Sequence, residues 1–225
     1  MLSAWIFDLD DTLYPEREYV HSGFRAVGEW AENRLGLSPT IVQAQLEALF
    51  DGGFRRDAFQ WWLSEQGQPA SLLPEMVDIY RRHKPRINCY PDSVQVLDAL
   101  KPRFRLGLIT EGRQAAQEAK IQVLGLRRWI EAVIILGETD REEWKPCPRS
   151  FRRMLAMLSL TEGEAAYVGD NPGKDFRGAR AAGMYTVRIR REGGLHADAE
   201  PASAEDAPDR EIHSLADLLE IRHLC

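Results

Sequence analysis

The sequence predicts an α/β fold: a mainly parallel sheet with helices on both faces, interrupted after its first strand by an all-helical insertion. Three observations carry this. An unbroken apolar run, Ala4-Trp5-Ile6-Phe7, ends in an acidic turn, as a parallel strand covered on both faces would. From Pro85 onward strand patterns and helix patterns alternate, the rhythm of βαβ units. Between them, over residues 15–85, apolar residues recur at spacings of three and four, and no good strand is found.

In the insertion, Tyr19, Val20, Phe24, Val27, Trp30 and Ala31 mark a helix over Glu16 to Leu35. Ser38-Pro39 then opens a second helix, Thr40 to Phe50, with a capping residue and a proline at its start. Two further helical stretches follow Asp57 and Pro74. Beyond the insertion, the expected order is helix Pro91–Leu100, strand Phe104–Ile109, helix Gln114–Leu124, strand Ala132–Leu136 and helix Pro148–Leu158. Strand Ala165–Val168, helix Phe176–Ala182 and strand Tyr185–Ile189 come next. Gly125 and Gly183 close their helices as left-handed caps do. Gly193 to Asp209, rich in Ala, Gly, Pro and acid, reads as a mobile loop before a last helix near Leu215–Ile221. The core is therefore residues 1–14 plus 86–225, and the insertion is 15–85. A single early strand cannot bury itself, so the two parts of the core must share one sheet.

Composition narrows the function. The 225 residues carry 29 Lys+Arg against 35 Asp+Glu, a net charge of −6. A general nucleic-acid binder needs a basic field, so none is expected. No stretch approaches the ~18 apolar residues that span a bilayer, and the first residues lack the pattern of a secretion signal. The cysteines, Cys89, Cys147 and Cys225, are odd in number and form no CxxC pair, which favours a reducing, cytoplasmic setting.

Four polar clusters fall at predicted strand ends, where open α/β sheets bind their ligands. Asp8-Leu9-Asp10-Asp11-Thr12 follows the first strand. Carboxylates two apart in a turn repel unless a cation or a proton separates them. Thr110-Glu111-Gly112 offers a hydroxyl and backbone N–H groups, a seat for phosphate. Lys145, within Trp144-Lys145-Pro146-Cys147-Pro148, offers a fixed point charge. Gly169-Asp170-Asn171-Pro172-Gly173-Lys174-Asp175 adds two more carboxylates, hard oxygen ligands of the kind Mg²⁺ takes. Taken singly, each cluster also fits a plain structural reading: an acidic turn, an N-cap by Thr110, a solvated lysine, a helix cap with Lys174 on the surface.

Together, in this chain order, the four clusters resemble the haloacid dehalogenase-like (HAD) hydrolase superfamily, through DLDDT at 8–12, TEG at 110–112, Lys145 in WKPCP and GDNPGKD at 169–175. The resemblance covers most of the chain. It implies a Rossmann-like three-layer core, with residues 15–85 as a helical C1 cap acting as a lid. It also implies Mg²⁺-dependent hydrolysis of a phosphomonoester through an aspartyl-phosphate intermediate. Asp8 would be the nucleophile. Asp10 would protonate the leaving group and then deprotonate water, a dual role calling for a pKa nearer neutrality than a free Asp has, raised by the adjacent carboxylate. Thr110 and Lys145, with Glu111 and Gly112 beside them, would hold the phosphoryl oxygens. Mg²⁺ would be held by Asp8, Asp170 and the Asp10 carbonyl, with Asp175 near the metal or orienting Lys145. Thr12 would brace the loop. The dehalogenase branch lacks the second aspartate, so Asp10 favours phosphate chemistry. Glu111 departs from the Asn or Asp more usual in related sequences.

Tyr14, Arg17, Tyr19 and His21, close in sequence to the start of the insertion, are the candidates for substrate specificity. Trp61-Trp62 and the run Arg81-Arg82-His83-Lys84 have plainer readings as cap core and solvated face, and Phe50, Phe54 and Phe59 read as cap core. The expected partner is a small phosphorylated molecule, a sugar phosphate or a nucleoside monophosphate. Monomer and homodimer both fit. A phosphosugar mutase and a catalytically silent binding protein are the rival readings on the same core. A phospho-accepting receiver domain fits poorly, because receivers lack a helical insertion.

Overall fold

A computed structural model of the chain describes residues 2–221; Cys225 lies outside the described residues. Two compact units are present, Met1–Glu16 with Asn88–Cys225, and Arg17–Ile87.

The first unit holds a six-stranded sheet in the order β3-β2-β1-β4-β5-β6, with every neighbouring pair parallel. The strands are β1 (Ala4–Phe7), β2 (Arg105–Glu111), β3 (Ala132–Leu136), β4 (Ala165–Gly169), β5 (Tyr185–Ile189) and β6 (Arg210–Ile212). β1 is central, and Phe7 pairs with Leu108 on one side and Val168 on the other. All four β1 residues are buried, which explains the unbroken apolar run. Register thereby brings the carboxyl ends of β1, β2 and β4 side by side, and the residues that follow them gather at one edge. Ile6, Ile109, Ile134, Phe151, Met154, Leu158 and Tyr167 form the core on one side of the sheet.

The second unit contains α1 (Glu16–Leu35, with its first residue in the other unit), α2 (Pro39–Asp51), α3 (Ala58–Glu65) and α4 (Leu73–Arg82). Phe24, Phe50, Phe59 and Tyr80 pack edge to face or tilted, with centroids 5.4–6.1 Å apart. Trp62 is buried and its indole donates to Gln45, whereas Trp61 is exposed and packs on Phe54. Phe54 is thus a surface residue rather than cap core.

The sheet unit continues with α5 (Pro91–Leu100), α6 (Gln114–Val123), α7 (Pro148–Met157) and α8 (Phe176–Ala181). No helix among the described residues is long and apolar enough to cross a membrane.

Three sequence expectations are corrected here. β2 runs two residues further than expected, so Thr110 and Glu111 end a strand, paired with Ile135 and Leu136, and Arg113 is the helix N-cap. The segment 193–209 is pinned, not loose. The fully buried Arg188 donates to the carbonyls of His196 and Ala199, Arg190 to that of Ala197, and Leu195 N–H to Asp11. β6 was hidden because it has three residues, two of them exposed, and no alternation to read. The last turn, Leu215–Glu220, is a 3₁₀ helix with Ser214 as its cap.

Candidate active site

Asp8 leaves the end of β1 with its N–H on the Val168 carbonyl, 2.8 Å away, and is 1% exposed. Its Oδ1 accepts from Lys145 Nζ at 2.7 Å. Its Oδ2 is buried with no hydrogen-bonding partner among the described residues. Lys145, fixed ahead of α7, also donates to Asp175 Oδ1 at 2.7 Å and to the Tyr167 hydroxyl at 2.9 Å. An ammonium has three protons, and all three are used.

Asp175 is placed by the short turn after β4. Its Oδ2 accepts from Asn171 N–H at 2.9 Å. Gly169 makes room for it: a Cβ there would lie 2.5 Å from that oxygen. One carboxylate oxygen each from Asp8, Asp170 and Asp175 lies within 4.8 Å of the others.

Three buried carboxylates this close set the electrostatics. Burial raises the pKa of Asp8, partly offset by Lys145 and Lys174. Burial, then the charges of Asp175 and Asp8, push Asp170 well above the usual carboxylate range. Asp175 goes the other way: burial opposes its charge, but Lys145 and Lys174 outweigh it. Lys145 is likewise buried, yet Asp175 and Asp8 hold it firmly protonated. The cluster is therefore short of positive charge around Asp8 Oδ2 and Asp170. An orphaned carboxylate oxygen beside a second strained carboxyl is a hard-oxygen donor set that fits a divalent cation such as Mg²⁺.

Asp10 is held differently. Lys120 Nζ lies 2.7 Å from Oδ1, the Tyr14 hydroxyl donates to the same oxygen, and Gln117 Nε2 lies 3.0 Å from Oδ2. Burial would raise its pKa, but Lys120 and these hydrogen bonds win and hold it below the usual value. The expectation of a pKa drawn toward neutrality by a neighbouring carboxylate is corrected: a cation, not an anion, sits against Asp10. Tyr14 is fully buried, with its hydroxyl spent on Asp10.

Thr110 is buried at the end of β2, and its Oγ1 lies 2.5 Å from Gln117 Nε2. Gly112 has φ 141°, and a Cβ on it would sit 3.3 Å from the Gln117 amide; only glycine suits both. Glu111 accepts from the Lys145 backbone N–H, and its other oxygen lies 3.6 Å from Lys174 Nζ. The longer acid thus ties the second cluster to the third and fourth, and Lys174 is half-buried against it rather than a free surface lysine.

Asp11, with φ 51°, spends its carboxylate on the N–H groups of Glu16 and Leu195, 2.8 and 2.7 Å away. Thr12 is fully buried. In the helical unit, Arg17 pairs with Asp51 and His21 Nδ1 lies 3.6 Å from Glu47. Sequence reasoning missed Gln117, Lys120 and Tyr167. Gln117 and Lys120 are three apart on the helix stripe that also buries Ile121, and polar residues on a buried stripe were the available signal.

The site is thus a buried lysine clamped between two aspartates at the carboxyl edge of a parallel α/β sheet. The pattern of the haloacid dehalogenase-like hydrolases matches residues 5–189. The chain is 34% identical over 230 residues to a glyceraldehyde 3-phosphate phosphatase of Methanopyrus kandleri, covering 98% of this chain and 97% of that one. It is 35% identical over 194 residues to a phosphoserine phosphatase of Thermus thermophilus, covering 86% and 75%. Among solved structures, the HAD-hydrolase YfnB of Bacillus subtilis, bound to magnesium, superposes with a TM-score of 0.70 at 20% identity, covering 98% of each chain. The chain belongs to the haloacid dehalogenase-like hydrolase family.

Proposed function

We propose that this chain hydrolyses phosphomonoesters of small metabolites through an aspartyl-phosphate on Asp8. The observation that carries the reading is the state of Asp8: one oxygen is fixed by Lys145, and the other is buried and unpartnered beside Asp170. Such an oxygen is oriented and under-neutralised, which suits a nucleophile that works beside a cation. Asp8 attacks phosphorus and the bond to the leaving oxygen breaks; Asp10, ionised in the resting site, takes up a proton when the negatively charged ester stands beside it and passes that proton to the leaving oxygen. Water then attacks the aspartyl-phosphate, Asp10 takes its proton, and inorganic phosphate leaves with Asp8 restored.

Asp8 and Asp170, with the Asp10 carbonyl, would hold Mg²⁺, while Asp175 is committed to Lys145. The ion, when bound, supplies positive charge that offsets repulsion between carboxylate and phosphate. Thr110 takes a phosphoryl oxygen, whereas the Gly112 N–H is spent on the Leu136 carbonyl, 3.0 Å away. The helical unit serves as the family's cap and sets the choice of substrate.

Several observations support this assignment. Relatives matched over 86–98% of the chain are named as phosphatases of glyceraldehyde 3-phosphate, phosphoserine and ribulose-1,5-bisphosphate. Their named substrates are small phosphorylated metabolites. Asp10, with its own set of donors, favours phosphate ester over halide displacement, where no leaving oxygen needs a proton. The chain is a phosphoric monoester hydrolase of its family, working in the cytoplasm on a soluble substrate.

The test is free-phosphate release from a panel of phosphorylated sugars, trioses, amino acids and nucleotides, with and without Mg²⁺. Release that needs Mg²⁺ and vanishes in Asp8→Asn is expected. Full turnover in Asp8→Asn would overturn the nucleophile, and no release from any ester would overturn the activity.

A further inference from the structure

Helix α6 places an amide and an ammonium where the fold could have placed leucines. Gln117 is 2% exposed and Lys120 5%. Burying such groups costs stability unless every partner is present, and an apolar filling of the same space is often the more stable choice. Their partners are specific. Lys120 Nζ meets Asp10 Oδ1 at 2.7 Å. Gln117 Nε2 meets both Asp10 Oδ2, at 3.0 Å, and Thr110 Oγ1, at 2.5 Å.

The hydrogen-bond arithmetic is directional. The amide nitrogen of Gln117 has two protons, one for Asp10 and one for Thr110. A hydroxyl that accepts from Gln117 must aim its own proton elsewhere, and Thr110 stands in the phosphoryl seat. A carboxylate has about four lone-pair sites. Lys120 and Tyr14 fill those of Asp10 Oδ1, and Gln117 takes one on Oδ2. These bonds leave one site, on Oδ2, to carry a proton.

We infer that Gln117 and Lys120 are positioning residues for the two proton-bearing groups of the reaction: Lys120, with Tyr14, locks Asp10 so that only Oδ2 faces the ester, and Gln117 turns the Thr110 hydroxyl toward the phosphoryl group. The inference rests on the phosphatase reading, since it needs Asp10 to meet a leaving oxygen.

The test separates positioning from packing through the leaving group. An alkyl phosphate needs its leaving oxygen protonated, whereas para-nitrophenolate leaves nearly unaided. In Lys120→Met, kcat/KM for glycerol phosphate is expected to fall about a hundredfold and that for para-nitrophenyl phosphate less than about tenfold. In an Asp10→Asn background, Lys120→Met should cost less than about twofold more, because its partner is already disabled. Equal losses on the two esters, or a full further loss in the Asp10→Asn background, would overturn the inference. Thermal melting checks the fold. If Lys120→Met does not fold, Lys120→Gln, which keeps a donor in the same space, is read by the same two criteria. Wild-type protein that releases no phosphate would instead overturn the activity itself, so the two failures are distinct.

Discussion

Nζ of Lys145 lies 2.7 Å from Oδ1 of Asp8 and 2.7 Å from Oδ1 of Asp175, and all three groups are buried. One cation is therefore shared between two carboxylates. Removing one partner of a buried ion pair leaves the other charge stranded, at about 3–5 kcal/mol. Lys145→Met is expected to lose stability in that range and to lose turnover. Urea unfolding measures the first, and an unchanged midpoint would show that the cluster adjusts its protons instead.

Asp8 Oδ2 and Asp170 predict a stabilising ion. Any ligand that binds only the folded chain raises its melting temperature, by about 2.7 kcal/mol of stability at a hundredfold excess over Kd. Mg²⁺ should raise the melting temperature of the wild type. The rise should shrink or vanish in Asp170→Asn, whose amide is a poorer ligand and removes one buried charge. A rise of equal size in both proteins would place the ion elsewhere.

The sheet and the site edge were legible in the sequence for a physical reason. Each buried strand is a short apolar run, Asp8 and Asp170 directly follow one and Thr110 stands near the end of another, so these three could be placed from local pattern alone. What was not legible is what depends on distant partners. Lys120 and Gln117 look like ordinary helix polar residues until Asp10, more than a hundred positions away, is brought against them. The segment 193–209 has a loop's composition, and only the buried Arg188 on β5 shows that it is held. The direction of the Asp10 shift was misjudged for the same reason: the nearest charge in sequence is an acid, but the nearest in space is Lys120.

Glu111 predicts a graded pair of variants. It accepts from Lys145 N–H and stands near Lys174. Glu111→Gln keeps an acceptor for the N–H and gives up only the partly exposed ion pair, worth less than about 1 kcal/mol. Glu111→Ala leaves the N–H without its partner, at about 1–3 kcal/mol. Unfolding free energies for the two variants check the order. Equal losses would assign the residue's worth to its charge and not to the backbone bond.

Glu16 predicts a pH dependence. Burial, then the charge of Asp10, lifts its carboxyl to about 8 from 4.5. Between those values the unfolded chain has released the proton while the folded chain still holds it. The folded chain then binds more protons, so its stability falls as pH rises from about 4.5 to about 8 and the effect levels off above. Glu16→Gln has no proton to lose, so it should flatten that stretch of the curve and melt above the wild type at pH 9. For a chain of this size each kcal/mol is worth roughly 2–4 °C. Melting curves of the two proteins from pH 5 to pH 9, without metal, measure this, and parallel curves would show that Glu16 ionises normally in the folded chain.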